Sequence, residues 1–198
     1  MYMLELDVIN SPAAAAVALD PIKTRLLAEL SEPASAASLA GRLGLTRQKV
    51  NYHLRALDDH KLVEPAEERQ WGGLTERLMV ATASSYVVSP AALGPIGADP
   101  ARSSDRLSAS YLIALAARVV REVGDLWRTA REKDKRLATL SIDTVIRFRS
   151  PADRAAFAAD LANAVAALAA RYHDESALGG RPHRLVIASY PAPADANL

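Results

Sequence analysis

The sequence predicts an α+β protein: short helices carrying a β-hairpin, then one long helix, then a small strand–helix–strand region. Three observations predict it. Capping signals recur at Ser11-Pro12, Asp20-Pro21 and Thr46, each ahead of a short helix-compatible run. Leu62-Val63-Glu64 and Leu78-Met79-Val80 read as strands flanking Gly72-Gly73, a hairpin turn signal. From about Ser104 to Lys133 the apolar residues keep a helical period for longer than a small domain needs.

Taken in order, Leu4, Leu6 and Val8 alternate with Glu5 and Asp7, the pattern of a short half-buried strand. Ser11-Pro12 opens an Ala-rich helix to about Leu19, and Asp20-Pro21 opens a second, with Ile22, Leu26, Leu27 and Leu30 as its buried stripe. A third helix, from about Ala36 to Leu43, buries Leu39 and Leu43 and ends at Gly44, a residue suited to a left-handed C-cap. Thr46 caps the fourth, which runs to about His60 with Val50, Leu54 and Leu57 inward. The span from Pro90 to Pro100 is rich in proline and glycine and reads as a linker.

In the long helix Leu112, Ala116, Val119, Val123, Leu126 and Ala130 form one apolar stripe, and Ile113, Ala117, Val120, Gly124 and Trp127 form another beside it. So wide a face predicts more than one neighbour, and a second copy of the chain is the expected one. A strand over Leu140 to Phe148 follows. Ser150-Pro151 then caps a helix burying Phe157, Leu161, Val165, Leu168 and Tyr172, and a last strand runs from Leu185 to Tyr190. Strand, helix and strand imply a parallel pair with a right-handed crossover. Two parallel strands make a poor sheet alone, so a third is expected from residues 2–9 or from a partner subunit. The expected domains are 1–90, a linker at 91–103, and 104–198 as a dimerisation and ligand-sensing region.

Composition narrows the function classes. Among the 198 residues there is no cysteine, which excludes disulfides and thiolate metal sites. The opening residues lack the basic segment and apolar core of a signal peptide, and no apolar run is long enough to span a bilayer. A cytoplasmic protein without membrane association is therefore expected. The net charge of +1 decides nothing, but its distribution is uneven. Arg42, Arg47, Lys49 and Arg55 form a basic island between acidic flanks at Glu29 and Glu32 and at Asp58, Asp59, Glu64, Glu67 and Glu68.

Two short helices joined at Gly44-Leu45, the second capped by Thr46 and followed by a hairpin, give the order of a winged helix-turn-helix. Leu39-Ala40, Leu43-Gly44-Leu45-Thr46, Val50, His53-Leu54, Leu57 and Leu62-Val63 sit at spacings that resemble those of ArsR-like regulators, from about Asp20 to Val88. The layout is also similar to MarR-like and PadR-like regulators. The resemblance implies a transcriptional regulator that binds double-stranded DNA as a homodimer on a palindromic operator, a repressor released by an effector.

On the Thr46 helix, Arg47, Gln48, Asn51, Tyr52 and Arg55 form one stripe opposite the core positions, and Thr46 and Lys49 adjoin it. Arginine can fork onto guanine, glutamine or asparagine can pair with adenine, and tyrosine can reach phosphate or a thymine methyl. His53 falls on the inward side and is expected to be structural. Around Gly72-Gly73, Arg69 and Arg77 are candidate wing contacts with DNA, and Trp71 is expected to cover the hairpin or a partner.

The chain departs from ArsR-like metal sensors. The helix before the Thr46 helix reads Ser-Leu-Ala-Gly-Arg without cysteine, and the long helix has no histidine. His53, His60, His173 and His183 form no spaced ligand set, so no metal and no cofactor are expected. A small organic effector is expected instead, against Tyr111, Trp127, Phe157 and Tyr172; these aromatics serve equally as core. Readings from other classes are a winged-helix module that docks proteins through the Arg47 stripe, and an enzyme. For the latter there is no G-x-S-x-G, phosphate-binding glycine loop or paired-histidine motif, and no catalytic residue is expected.

Overall fold

The computed structural model describes residues 3–71 and 74–193, apart from the side chains of Arg69, Trp71, Leu74 and Thr75. The expected turn at Gly72-Gly73 thus lies outside the described residues. The chain divides into two compact units, Met1–Leu137 and Ala138–Leu198.

In the first unit the capping side chains act where the sequence predicts. Ser11 caps α1 (Pro12–Ala18). Asp20 caps α2 (Pro21–Glu29), its Oδ1 accepting from the backbone N–H groups of Ile22 and Lys23, each at 3.0 Å. Two orphan donors at the helix start are satisfied by that one carboxylate. A two-residue strand that the sequence pattern did not predict, Ala34–Ser35, precedes α3 (Ala36–Leu43). At the end of α3, Gly44 takes φ +66°, and both Gly44 and Leu45 donate backbone N–H to the Ala40 carbonyl. A side chain with a Cβ is strained in that conformation, so glycine sets the turn. Thr46 then starts α4 (Arg47–Asp59), its Oγ1 accepting from Lys49 N–H at 3.2 Å.

Leu26 and Leu30 from α2, Leu39 from α3 and Val50, Leu54 and Leu57 from α4 meet in one core, closed by Leu62 and Val63. Beyond α4 the chain turns through Lys61, whose φ of +58° is unusual for a residue with a side chain. It enters an antiparallel hairpin, Val63–Trp71 against Leu74–Ala81, with a bulge between Pro65 and Glu67. Ala34–Ser35 pairs with the other edge of the hairpin's second strand, Ala34 opposite Met79. The segment Asp7–Ile9 runs parallel to Tyr86–Val88 in a separate two-stranded sheet. The amino-terminal strand therefore pairs within the first unit.

Residues 91–103 correct the expected linker. They form 3-10 turns, Pro90–Ile96 and Pro100–Arg102, inside the first unit. Pro90 and Pro100 sit at first-turn positions, where a missing N–H costs nothing, and Pro95 follows a break in the turn at Gly94. Ser89, fully buried, donates its N–H to the Ile9 carbonyl, and Arg102 Nη2 donates to the Pro95 carbonyl at 2.8 Å. The long helix α5 (Ala109–Glu132) also belongs to this unit and begins later than Ser104. Asp105 accepts from Leu107 N–H in a local turn, and Ser108 is the side chain that caps the helix. Gly124 of α5 meets Val8 so closely that a Cβ there would lie 3.0 Å from Val8 Cγ1. Arg128 Nη2 donates to the Val8 carbonyl, and Asn10 Nδ2 donates to Asp125 Oδ1, on the same seam.

The second unit contains α6 (Pro151–Tyr172), capped by Ser150 as the sequence predicts. Phe157, Leu161 and Val165 are half-buried along one face. Phe148 packs on Phe157, ring centroids 5.3 Å apart. Leu168 and Tyr172, expected to be buried on this face, are exposed instead. The strands expected over Leu140 to Phe148 and Leu185 to Tyr190 are corrected as well, since neither stretch forms a strand. Each has the β-branched composition of a strand, but an edge becomes one only against a partner edge.

Leu57 is fully buried where α4 meets the other helices. Truncation in Leu57→Ala should lower unfolding free energy by about 2–5 kcal/mol, read as a fall in the urea midpoint at unchanged slope.

Candidate nucleic-acid interface

The two faces of α4 differ sharply. Val50, His53, Leu54 and Leu57 are buried, whereas Thr46, Arg47, Gln48, Lys49, Asn51, Tyr52 and Arg55 are all exposed. Tyr52 is 69% exposed, and its ring meets that of His53 edge-on at 5.4 Å. Arg42 drops out of the basic island, because its guanidinium pairs with Glu29 at 3.0 Å. Arg47, Lys49 and Arg55 form no ion pair among the described residues. Three cations and four neutral polar or aromatic side chains thus lie exposed on and beside one helix face, a donor-rich surface of the kind that fits the major groove.

The base of the hairpin is latched to the end of α4. Thr82 Oγ1 donates to the carbonyls of Lys61 and Leu62, at 3.1 and 3.2 Å. Tyr86 Oη donates to the Leu62 carbonyl at 2.9 Å and accepts from Ala83 N–H. These contacts fix the hairpin's departure from α4, and sequence reading missed them. They join residues about twenty positions apart with no periodic signature.

Arg77 is exposed, and in the register it stands opposite Glu68; Arg69 stands opposite Glu76. Directly opposed residues share a face of the sheet, so Arg77 has a carboxylate as its cross-strand neighbour. The side chains of Arg69 and Trp71 lie outside the described residues.

Of the four aromatics expected around an effector, the two on each helix lie far apart along it. Tyr111 and Trp127 lie on α5, sixteen residues apart, or about 24 Å along a helix, beyond the reach of a single small ligand. Phe157 and Tyr172 lie on α6 in the second unit, comparably far apart. As to metals, His173 Nε2 lies 3.5 Å from Glu175 Oε1, and Asp174 binds Ser176 instead. Among the described residues no three histidine or acidic side chains converge.

His53 is 7% exposed, and neither ring nitrogen has a hydrogen-bond partner among the described residues. Burial, reinforced by the positive charge of Lys23, holds its pKa below the ordinary histidine value. The folded protein thus keeps the ring neutral where the unfolded chain would protonate it.

A family model described as a helix-turn-helix domain matches residues 19–66, which take in α2, α3, α4 and the start of the hairpin. No curated protein matches the chain. Residues 19–66 are thus similar to a helix-turn-helix domain, a class that commonly lays its second helix in the major groove of DNA. The exposed stripe of α4 lies on that second helix. No helix among the described residues is long and apolar enough to cross a membrane.

The depressed His53 pKa has a signed consequence. The unfolded state binds the extra proton, so stability is complete above about pH 6.5 and falls as pH drops below it. The urea midpoint of the wild type should be higher at pH 7.5 than at pH 5.5. In His53→Leu the difference should shrink; an unchanged difference places the proton elsewhere.

Proposed function

We propose that the protein is a sequence-specific transcriptional regulator that reads double-stranded DNA with α4. One observation carries this: Arg47, Gln48, Asn51, Tyr52 and Arg55 form a continuous exposed stripe on the helix that a helix-turn-helix inserts into DNA. Thr46 and Lys49 flank the stripe and supply phosphate contacts at the helix start. Arg47 and Gln48, nearest the amino end of α4, reach base edges, and Asn51 and Tyr52 follow one turn on. Arg77 and Arg69 take the lesser part of backbone contacts from the wing.

The ArsR-like spacing supports a regulator of that kind, acting in the cytoplasm as a homodimer on a palindromic operator. Ile113, Val123 and Leu126 of α5 are exposed apolar side chains, consistent with a second copy in the working protein. Repression relieved by a small organic ligand is the regulatory scheme we favour. The chain has no cysteine to hold a soft metal, and α5 has no histidine. Such a ligand acts only by binding the DNA-incompetent arrangement more tightly than the competent one. No enzymatic step is assigned to the chain.

Alanine at Arg47 or Gln48 should weaken binding to a selected cognate site by about 1–3 kcal/mol and leave random DNA nearly unchanged, measured by fluorescence anisotropy. Equal losses on both DNAs make these phosphate contacts, and no loss on either removes α4 from the interface. Zinc, nickel, copper and cadmium titrated against the preformed complex should release no DNA beyond a chelated control. Micromolar release abolished by His173→Ala or His183→Ala makes the effector a metal.

A further inference from the structure

The second unit has the ingredients of a core and buries almost none of them. No residue of α6 is fully buried, although Phe157, Leu161, Val165, Leu168 and Tyr172 recur on one face. Every residue over 138–147 and over 173–193 is exposed. Leu140 and Ile142 are each 84% exposed, and Leu185, Ile187 and Tyr190 are open as well. Neither stretch joins a strand ladder among the described residues.

Both stretches nonetheless have the chemistry of sheet strands. Ile142, Thr144, Val145 and Ile146 make the first rich in β-branched residues, and the run from Leu185 to Tyr190 carries no charge. Their exposed apolar side chains offer on the order of 1,000 Å² per chain, where a stable dimer buries about 800 Å² per partner. Two strands and one helix are too little for an independent sheet, which needs three or more strands over an apolar face. The missing partner must bring both free strand edges and a matching apolar surface. A second copy of the same unit brings both, and a two-fold axis lets one self-complementary patch satisfy both chains without leaving an open edge.

We propose that the second unit is a dimerisation module, completed only when the stretches near 140–148 and 185–190 of two chains join in a four-stranded sheet covered by both α6 helices. This rests on the two-copy regulator proposed above and places its contact in the second unit. A regulator built this way holds its two reading helices at a spacing set by a shared sheet.

Sedimentation velocity on the full chain, with hydrogen exchange on the wild type, tests it. The wild type should sediment as two chains, and Ile142→Asp and Ile187→Asp should halve that mass while α2 to α4 keep their amide protection. Leu107→Asp, at an exposed position of the first unit, should leave the dimer intact. In the wild-type dimer the amides of 140–148 and 185–190 should exchange as protected strands, losing protection on dilution to monomer. Should the aspartate variants fail to fold, that wild-type measurement decides alone. A monomeric wild type, a dimer that survives both unit-two variants, or a dimer whose 140–148 and 185–190 amides are unprotected overturns the inference. Selective operator binding by a dimer with those amides unprotected would sink this inference alone and leave the regulator standing. Loss of selective DNA binding with protected amides would do the reverse.

Discussion

Val50, Leu54 and Leu57 of α4 pack in the same core as Leu26, Leu30 and Leu39, so α4 cannot rotate without emptying that core. Every side chain on its opposite face must therefore point to solvent. The exposure of Arg47, Gln48, Asn51, Tyr52 and Arg55 follows from this one packing constraint, as does the burial of His53 one turn from Val50 and Leu57. Gly44 contributes at the other end. Its left-handed conformation lets α3 stop and α4 start within three residues, which fixes where the stripe begins.

Around that constraint the fold adds bracing rather than further chemistry. Ala34–Ser35 extends the wing to three strands, and Thr82 and Tyr86 tie the α4 exit to the hairpin base. Arg42 is spent on Glu29, which leaves the positive charge of the face concentrated at Arg47, Lys49 and Arg55. A neutral imidazole beneath the face adds no charge of its own to the surface. Its core contacts thus hold α4 in place, and the positive charge of its exposed face rests on a few cations.

Much of the first unit could be read in advance because its signals are local. Ser11, Asp20, Thr46 and Gly44 announce helix ends through their own side chains or the lack of one, and Val50, Leu54 and Leu57 announce the buried face by spacing alone. What escaped was non-local. The pairing of Asp7–Ile9 with Tyr86–Val88, the two-residue strand at Ala34, and the Thr82–Tyr86 latch depend on partners far along the chain. Residues 91–103 misled for a related reason: prolines mark tight turns and linkers alike, and only tertiary contacts such as those of Ser89 and Arg102 distinguish them. In the second unit the β-branched stretches met the local criterion for strands and lacked the partner edge that makes one. Tyr111 and Trp127, sixteen positions apart on one helix, are too far apart to share a small ligand.

The claim on which the account turns is that α4 lies in the major groove, and methylation interference on a sequence selected from random DNA tests it most directly. Dimethyl sulfate marks guanine N7 in the major groove and adenine N3 in the minor groove. If α4 lies in the major groove, selection should enrich a two-fold symmetric sequence, and methylation at guanine N7 should block binding in two patches about one helical turn, or a multiple of it, apart. Selection that enriches no sequence, or interference confined to adenine N3, would contradict it.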